Sequence, residues 1–375
     1  MKQLLTVLSA RASYSRVRSV LLNLRESSEI QSHVALIASA ASTKYGKLES
    51  YLKKDLIDIN WKIESQADAA LDSSMVRTTS YSMLGIADYI LNQKIDGVLI
   101  IADRHETIAG AIASSYLNRT TFHLLGGEIS GNIDNKVRYA NSFLSDYHFV
   151  ATPKSKERLE NCGIVPESIF NTGCPSLDYL SQASKLDSIS KLNLLGGVGL
   201  DPSELFKGSY LVVLQHAETT SRLSPREQIK VVIDAVEKLQ IPTLWIWPNS
   251  DSGSDEVLRE ITKARESGKL NKVHFERSIE PQFFISILKS ADCIIGNSSV
   301  AIRECSLIGV PAVNVGSRQV NRERANNVID CEFHPESVYQ ATLRQLQHGP
   351  YESSPIYGDG KSGERIAELI IKLLV

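Results

Sequence analysis

The sequence predicts an α/β protein of two doubly wound, Rossmann-like domains facing a cleft. Three observations predict it. Short β-branched apolar runs alternate with longer helical patterns along nearly the whole chain, which implies mostly parallel sheets with right-handed crossovers. Several of these runs are continuously apolar, as strands covered by helices on both faces are. The alternation lapses over 176–207 and then resumes, and 375 residues at about 150 per domain correspond to about two domains.

In the first series, strands are expected at 3–9 (QLLTVLS), 33–39 (HVALIAS), 96–102 (DGVLIIA), 120–125 (TTFHLL), 147–152 (YHFVAT) and 168–172 (SIFNT). Residues 16–25 place Val17, Val20, Leu21 and Leu24 on one helical face, and 105–117 and 135–145 behave similarly. These elements make a first domain over 1–175. Residues 176–207 carry few strand signals and read as a linker region with a helix at 176–184. The second series has strands at 210–215, 242–247, 272–276, 292–295 and 311–315, and helices at 225–239, 254–268, 280–290, 299–308 and 336–347. It makes a second domain over 208–361. The remaining segment, 362–375, is an amphipathic helix expected to pack back on one of the domains.

Composition narrows the function classes. With 42% hydrophobic and 22% charged residues, the chain is neither collagen-like, coiled-coil nor largely disordered. Forty-one Lys and Arg stand against 43 Asp and Glu, so no global field attracts a nucleic acid or an anionic membrane. That balance leaves room for a local basic pocket for a small anion. Five cysteines, none in a CxxC, argue against a disulfide framework or thiolate zinc site and for reduced thiols. No run approaches the ~18 apolar residues of a membrane helix, and the N-terminus has no secretory pattern. A cytoplasmic chain without metal or cofactor is expected.

The ends of the strands hold the chemistry. The first strand runs into Arg11-Ala12-Ser13-Tyr14-Ser15, where Ser15 reads as an N-cap and Arg11 as either a phosphate ligand or a surface cation. The strand at 96–102 ends in Asp103-Arg104-His105-Glu106, which offers either an acid, a base and an anion clamp or a solvated helix start. Beyond 120–125 come Gly126-Gly127-Glu128 and then Asp134, two carboxylates suited to proton transfer. In the second series, His216 closes a strand as a ligand contact or a structural histidine. Asn249 follows the next strand. Gly296-Asn297-Ser298-Ser299 forms a strand–turn–helix in which N–H groups and hydroxyls suit a diphosphate, and Glu304 suits paired ribose hydroxyls. Arg318 adds a cation beyond another strand. GxxxxGK[ST], a first-turn GxGxxG, HExxH and GxSxG are all absent, which disfavours the enzyme classes they mark.

This order of motifs resembles one family across nearly the whole chain: the hydrolysing UDP-N-acetylglucosamine 2-epimerases of sialic-acid and legionaminic-acid-type biosynthesis. The resemblance is carried by RASYS (11–15), DR (103–104), GGEISGNID (126–134), GCPSLD (173–178), LQH (214–216), PNSDSGS (248–254), GNSSVAIRE (296–304), GSRQVNRE (316–323) and IYGDG (356–360). It implies the glycosyltransferase-B-like fold and a nucleotide site shared by both domains. It implies UDP contacts at Arg11, Ser15, Arg104, His216, Asn249, Gly296, Ser298, Ser299, Glu304 and Arg318, with Ser298 and Ser299 on the diphosphate and Glu304 on the ribose. It implies proton transfers by Asp103 and Asp134, with His216 stabilising the leaving diphosphate or serving as an acid, beside the catalytic carboxylate Glu128 read from the turn itself. It also implies a UDP-sugar substrate and a homodimer or homotetramer.

The implied reaction removes the proton at sugar C2, expels UDP from C1 and adds water to the resulting glycal. Four positions depart from the family pattern. Ser13 stands where members usually carry an acid, residues 38–43 lack a common His, Tyr139 replaces the His after Arg138, and position 125 is Leu. The nucleotide half of the pattern is therefore better kept than the sugar half. A UDP-sugar-dependent transferase and a catalytically silent nucleotide-sugar-binding protein are the alternative functions.

Overall fold

A computed structural model describes residues 1–42, 48–67, 73–129, 133–182, 195–218, 221–248, 253–277 and 279–375. The chain divides into two compact units, Met1–Asp178 with Tyr357–Val375, and Tyr179–Ile356. Residues 176–178 thus lie in the first unit and 179–182 and 195–207 in the second, while 357–361 join the first.

The first unit is built on a wholly parallel seven-stranded sheet in the order β3-β2-β1-β4-β5-β6-β7. Its strands are β1 (Lys2–Leu8), β2 (Ile30–Leu36), β3 (Trp61–Lys62), β4 (Gly97–Ile101), β5 (Thr120–Leu124), β6 (Tyr147–Val150) and β7 (Ile169–Asn171). Every residue of β4 is buried, as its continuous GVLII requires. Leu5, Val7, Val98 and Ile100 pack with Ile86, Tyr89 and Ile90 of the helix Ser74–Asn92. Each such aliphatic side chain contributes about 1.5–3 kcal/mol by leaving water.

The closing helix Ser362–Leu374 buries Ile366, Ile370 and Leu374, spaced one turn apart, and packs on the helix Arg18–Arg25. Its first N–H groups are satisfied by Asp178, which accepts from Ser362 at 3.0 Å and Gly363 at 2.6 Å. A Cβ at Gly363 would overlap Ser19, so the glycine permits this approach.

The second unit has strands β8 (Val198–Gly199), β9 (Leu211–Leu214), β10 (Thr243–Ile246), β11 (Val273–Glu276), β12 (Cys293–Gly296), β13 (Ala312–Val315) and β14 (Val328–Cys331). The order is β14-β13-β12-β9-β10-β11-β8, parallel except for β8, which runs antiparallel on the edge beside β11. The helix Pro225–Leu239 starts on a capping box between Ser224 and Glu227 and stops where Gln240 turns left-handed at φ 54°. Its Ile229, Val232, Ile233 and Val236 join Trp245 and Phe275 in the core.

Counted from β1 and from β9, both sheets contain the strand order 3-2-1-4-5-6. Each therefore reverses direction of growth once, between β1 and β4 and between β9 and β12. Ligands of doubly wound sheets bind beyond the carboxyl ends of the strands at this reversal. All strands expected from sequence are present, with β2 displaced the most, to 30–36. The elements at 61–62, 74–92, 153–161, 198–199 and 328–331 carry no sequence expectation.

Candidate active site

In the first unit, β4 delivers Asp103 through Ala102, which turns at a positive φ of 60°. That turn is held by its own carbonyl, which lies 2.9 Å from His123 Nε2 and accepts from Asn141 Nδ2 at 3.2 Å. Burial pushes His123 down to about 4, so the imidazole is neutral at pH 7 and serves the turn without adding charge. Asp103 itself is 8% exposed. Arg138, 1% exposed, donates from Nη2 to Asp103 Oδ2 and from Nη1 to the Glu128 carbonyl at 2.6 Å. Arg16 Nη1 stands 3.6 Å from the other Asp103 oxygen. Such partners are what make a carboxylate tolerable this far from water.

Asp103, Glu128 and Arg138 are thus brought together. Glu128 is buried, and Gly127 before it turns at φ 72°, where a Cβ would overlap the Ser155 carbonyl. Asp134 is half-buried in the first turn of the helix Ile133–Phe143. Residues 130–132 between them lie outside the described residues.

Arg104 donates from Nε to Glu106 Oε1 at 2.7 Å, and His105 Nδ1 lies 2.8 Å from Oε2. Burial would raise Glu106, but the His105 hydrogen bond and the Arg104 charge outweigh it and hold the carboxyl at about 2. Arg11 is exposed at the start of the short helix Arg11–Ser15. The expected Ser15 cap does not form. The chain enters that helix directly from Ala10, so Ser15 ends it, and Val17 takes the N-cap place of the next. Of the departures from the family pattern, Ser13 and Leu125 are buried, Leu125 at φ 66°, and Tyr139 is half-buried.

In the second unit, the strand reversal brings the ends of β9 and β12 side by side. Gly296 ends β12 at φ 140°, and a Cβ there would overlap the Leu214 carbonyl oxygen, so glycine is required. Asn297, fully buried, accepts from the His216 N–H at 2.8 Å and donates to the His216 carbonyl at 3.0 Å. Ser298 caps the 3₁₀ turn Ser299–Ala301 and accepts from Val300 N–H at 3.4 Å. Glu304 is the first residue of the helix Glu304–Ile308.

From beyond β13, Arg318 Nη1 and Gln319 Nε2 donate to the Asn297 carbonyl at 3.3 and 2.8 Å. His216, Gly296, Ser298 and Arg318 therefore gather around Asn297. Burial first, then the Arg318 charge, push His216 down to about 3. At pH 7 it is a neutral N–H donor and not a cation. Asn249 lies outside the described residues. Among the described residues, no group of three His, Cys, Asp or Glu is placed to hold a metal ion, and no helix is long and apolar enough to cross a membrane.

A family model described as UDP-N-acetylglucosamine 2-epimerase matches residues 23–371. The chain belongs to the UDP-N-acetylglucosamine 2-epimerase family. Over 374 residues it is 33% identical to the UDP-N,N'-diacetylbacillosamine 2-epimerase (hydrolyzing) of Legionella pneumophila, covering 98% of this chain and 95% of that protein. It is 27% identical to the UDP-N-acetylglucosamine 2-epimerase of Neisseria meningitidis, covering 99% and 95%. A crystal structure of a UDP-GlcNAc 2-epimerase from Neisseria meningitidis bound to UDP-GlcNAc has the same fold, with a TM-score of 0.80 at 17% identity over 99% of this chain and 100% of that one. The 2-epimerase fold is thus the two-unit, glycosyltransferase-B-like α/β class, as the sequence predicts.

Within this chain, sequence reasoning missed Arg16 and Asn297 as parts of the strand-end clusters. Asn297 alone left a signal, its place inside Gly296-Asn297-Ser298-Ser299.

Proposed function

We propose that the protein is a hydrolysing nucleotide-sugar 2-epimerase. It takes UDP-N-acetylglucosamine, or a 2,4-diacetamido relative, and gives UDP and the free mannosamine-type sugar inverted at C2. The observation that carries this reading is the end-to-end relation, at 33% identity, to a protein named for the hydrolysing reaction.

The chemistry divides into two steps. A base takes the proton from C2 while the C1–O bond to the diphosphate breaks. The C2–H electron pair becomes the C1=C2 bond of a glycal, and UDP leaves with the bonding pair. Water then adds its hydroxyl to C1, and a proton reaches C2 on the opposite face, so one water is consumed per turnover. Asp103, Glu128 and Asp134 are the groups assigned to these proton transfers.

The second unit is assigned to the nucleotide. Ser298, Ser299 and the backbone at Gly296 hold the diphosphate, Glu304 the ribose, and Arg318 the developing charge. His216 is assigned to the departing phosphate oxygen, as hydrogen-bond donor or acid. Arg11, Ser15 and Arg104 are the anion contacts assigned to the first unit, and Asn249 is a further one assigned to the second.

The test is incubation with UDP-N-acetylglucosamine and its 2,4-diacetamido relative in deuterated water. Release of UDP together with a free sugar deuterated at C2 is expected. UDP release only with an added acceptor would replace the reading by a transferase. UDP binding without turnover of any of these sugars would replace it by a silent binding protein.

A further inference from the structure

Glu218 lies two residues beyond His216 and is 3% exposed. Its surroundings are specific. Its Oε2 accepts from the backbone N–H groups of Ser317 at 2.9 Å and Arg318 at 3.1 Å, and its Oε1 accepts from the Ser317 hydroxyl. Two successive N–H groups converging on one oxygen form a concave anion seat. Gly316 opens it by turning at φ 87°, where a Cβ would lie 2.7 Å from Glu218 Oε2.

The Glu218 backbone is fixed in turn. Gln228, on the helix Pro225–Leu239, accepts from the Glu218 N–H at 2.9 Å and donates to its carbonyl at 2.9 Å. The carboxylate therefore joins a rigid helix to a turn about a hundred residues away in sequence. Arg318 leaves that turn with its guanidinium on the Asn297 carbonyl, over the end of β12.

We propose that Glu218 is a positioning residue for nucleotide binding. It fills the anion seat of residues 316–318 from within, and so aims Arg318 at the strand reversal where the phosphate is bound. Its effect passes through Arg318 and not through contact with the sugar. This inference rests on the functional reading for the identity of the ligand, UDP, but not for the geometry of the turn.

Two measurements separate the two. In ligand-free protein, amide hydrogen exchange at 316–319 reads the seat directly. Glu218→Ala should lose protection there while the helix Pro225–Leu239 keeps it, and Glu218→Gln, whose amide oxygen still accepts, should keep much of it. Calorimetry with UDP reads the consequence. A charge-assisted hydrogen bond lost from the seat weakens UDP binding roughly tenfold or more in Glu218→Ala. Ser317→Ala, at an exposed position, should weaken it by about threefold.

The Glu218→Ala/Arg318→Ala double variant should bind UDP no worse than Arg318→Ala, because the effect passes through Arg318. Unchanged exchange and unchanged affinity in Glu218→Ala overturn the proposal, as does full additivity in the double variant. If the unmodified protein does not bind UDP, the functional reading fails instead. The exchange measurement then decides alone: lost protection supports the role of Glu218 in holding the turn, and retained protection overturns it.

Discussion

Asn297 and His216 are joined twice, Asn297 Oδ1 accepting from the His216 N–H at 2.8 Å and Nδ2 donating to the His216 carbonyl at 3.0 Å. These two bonds bridge the gap where the second sheet reverses its order. Neighbouring strands β9 and β12 pair up to Gly296↔Leu214, where their ladder ends. A side-chain amide has one acceptor and one donor at the right separation to continue the ladder by one step. The candidate diphosphate turn, 296–299, is thereby fastened to His216.

Asn297→Ala should therefore act on stability and binding together. It removes both bonds, a loss of roughly 1–3 kcal/mol, although the His216 carbonyl still accepts from Gln215 Nε2 at 3.2 Å. Urea unfolding should show that loss, and UDP affinity should fall with it. Asn297→Asp keeps the acceptor but sets an oxygen against the His216 carbonyl, so it should rescue neither. A variant with Ala at 297 and an unchanged urea midpoint would contradict the bridging role.

Asp103 and Arg138 test the first unit. Arg138→Met strips the buried carboxylate of its main partner, and breaking such a pair is expected to destabilise by about 3–5 kcal/mol, less whatever Arg16 compensates. Asp103→Asn in the same chain should restore much of that stability, since the neutral amide no longer needs the guanidinium. Activity should not return. Asp103→Asn alone should lower kcat by about 10²–10⁴ if the carboxylate moves a proton, as removal of a general base does. Stability melts and UDP-release assays on the three variants decide this. Recovery of both properties in the double variant would confine the pair to structure.

The sheets were legible because their strands are short apolar runs buried on both faces, a pattern that depends on neighbouring residues alone. The helix Ser74–Asn92 was not. Its buried face includes Thr78 and Ser82, whose hydroxyls are hydrogen-bonded, Ser82 donating to the Thr78 carbonyl at 2.8 Å and lying 2.7 Å from the Ser65 hydroxyl, which can donate to it. Hydroxyls at core positions break the apolar period on which helix reading relies. Strand β14 was hidden by its open edge position, where no residue is buried. The strand-end residues of the site could be read from their positions. Long-range carboxylate contacts could not, because Glu218 meets Ser317 beside the site and Asp178 meets Ser362 at the closing helix across separations that no local pattern encodes.

Acid should destabilise the fold from near pH 6.5 downward. Burial lowers His123 to about 4 and His148 and His216 to about 3. In the unfolded chain each takes up its proton near pH 6.5, so between that pH and the folded values the unfolded state binds more protons and stability rises with pH. The stabilisation is complete above pH 6.5 and is lost as pH falls through the folded pKa. Each histidine contributes a slope of about 1.4 kcal/mol per pH unit within that window. Glu106, held at about 2, adds to the loss below its ordinary range near 4.5. Urea midpoints measured from pH 4.5 to 7.5 should follow this slope. His148→Phe should flatten it by about one proton. A flat profile would mean that these imidazoles take up their protons at the same pH in the folded and unfolded chain.

Glu304 offers a test of nucleotide recognition that needs no catalysis. As the first residue of the helix Glu304–Ile308, it stands a few residues beyond Ser298 and Ser299, the pair assigned to the diphosphate. A ribose lies one phosphoester arm from the phosphates it carries. A carboxylate has two oxygens and can accept from both ribose hydroxyls, while an amide offers one acceptor and a methyl group none. Removal of one hydroxyl from the ligand should therefore matter only while the carboxylate is present. UDP should outbind 2'-deoxy-UDP by roughly tenfold in the unmodified protein, a hydrogen bond to a charged group being worth about 1.5–3 kcal/mol. In Glu304→Ala both ligands should bind equally, at the weaker value or below it. In Glu304→Gln the preference should shrink without vanishing. A preference that survives intact in Glu304→Ala would assign the ribose to another residue, while leaving the diphosphate assignment to Ser298 and Ser299 standing.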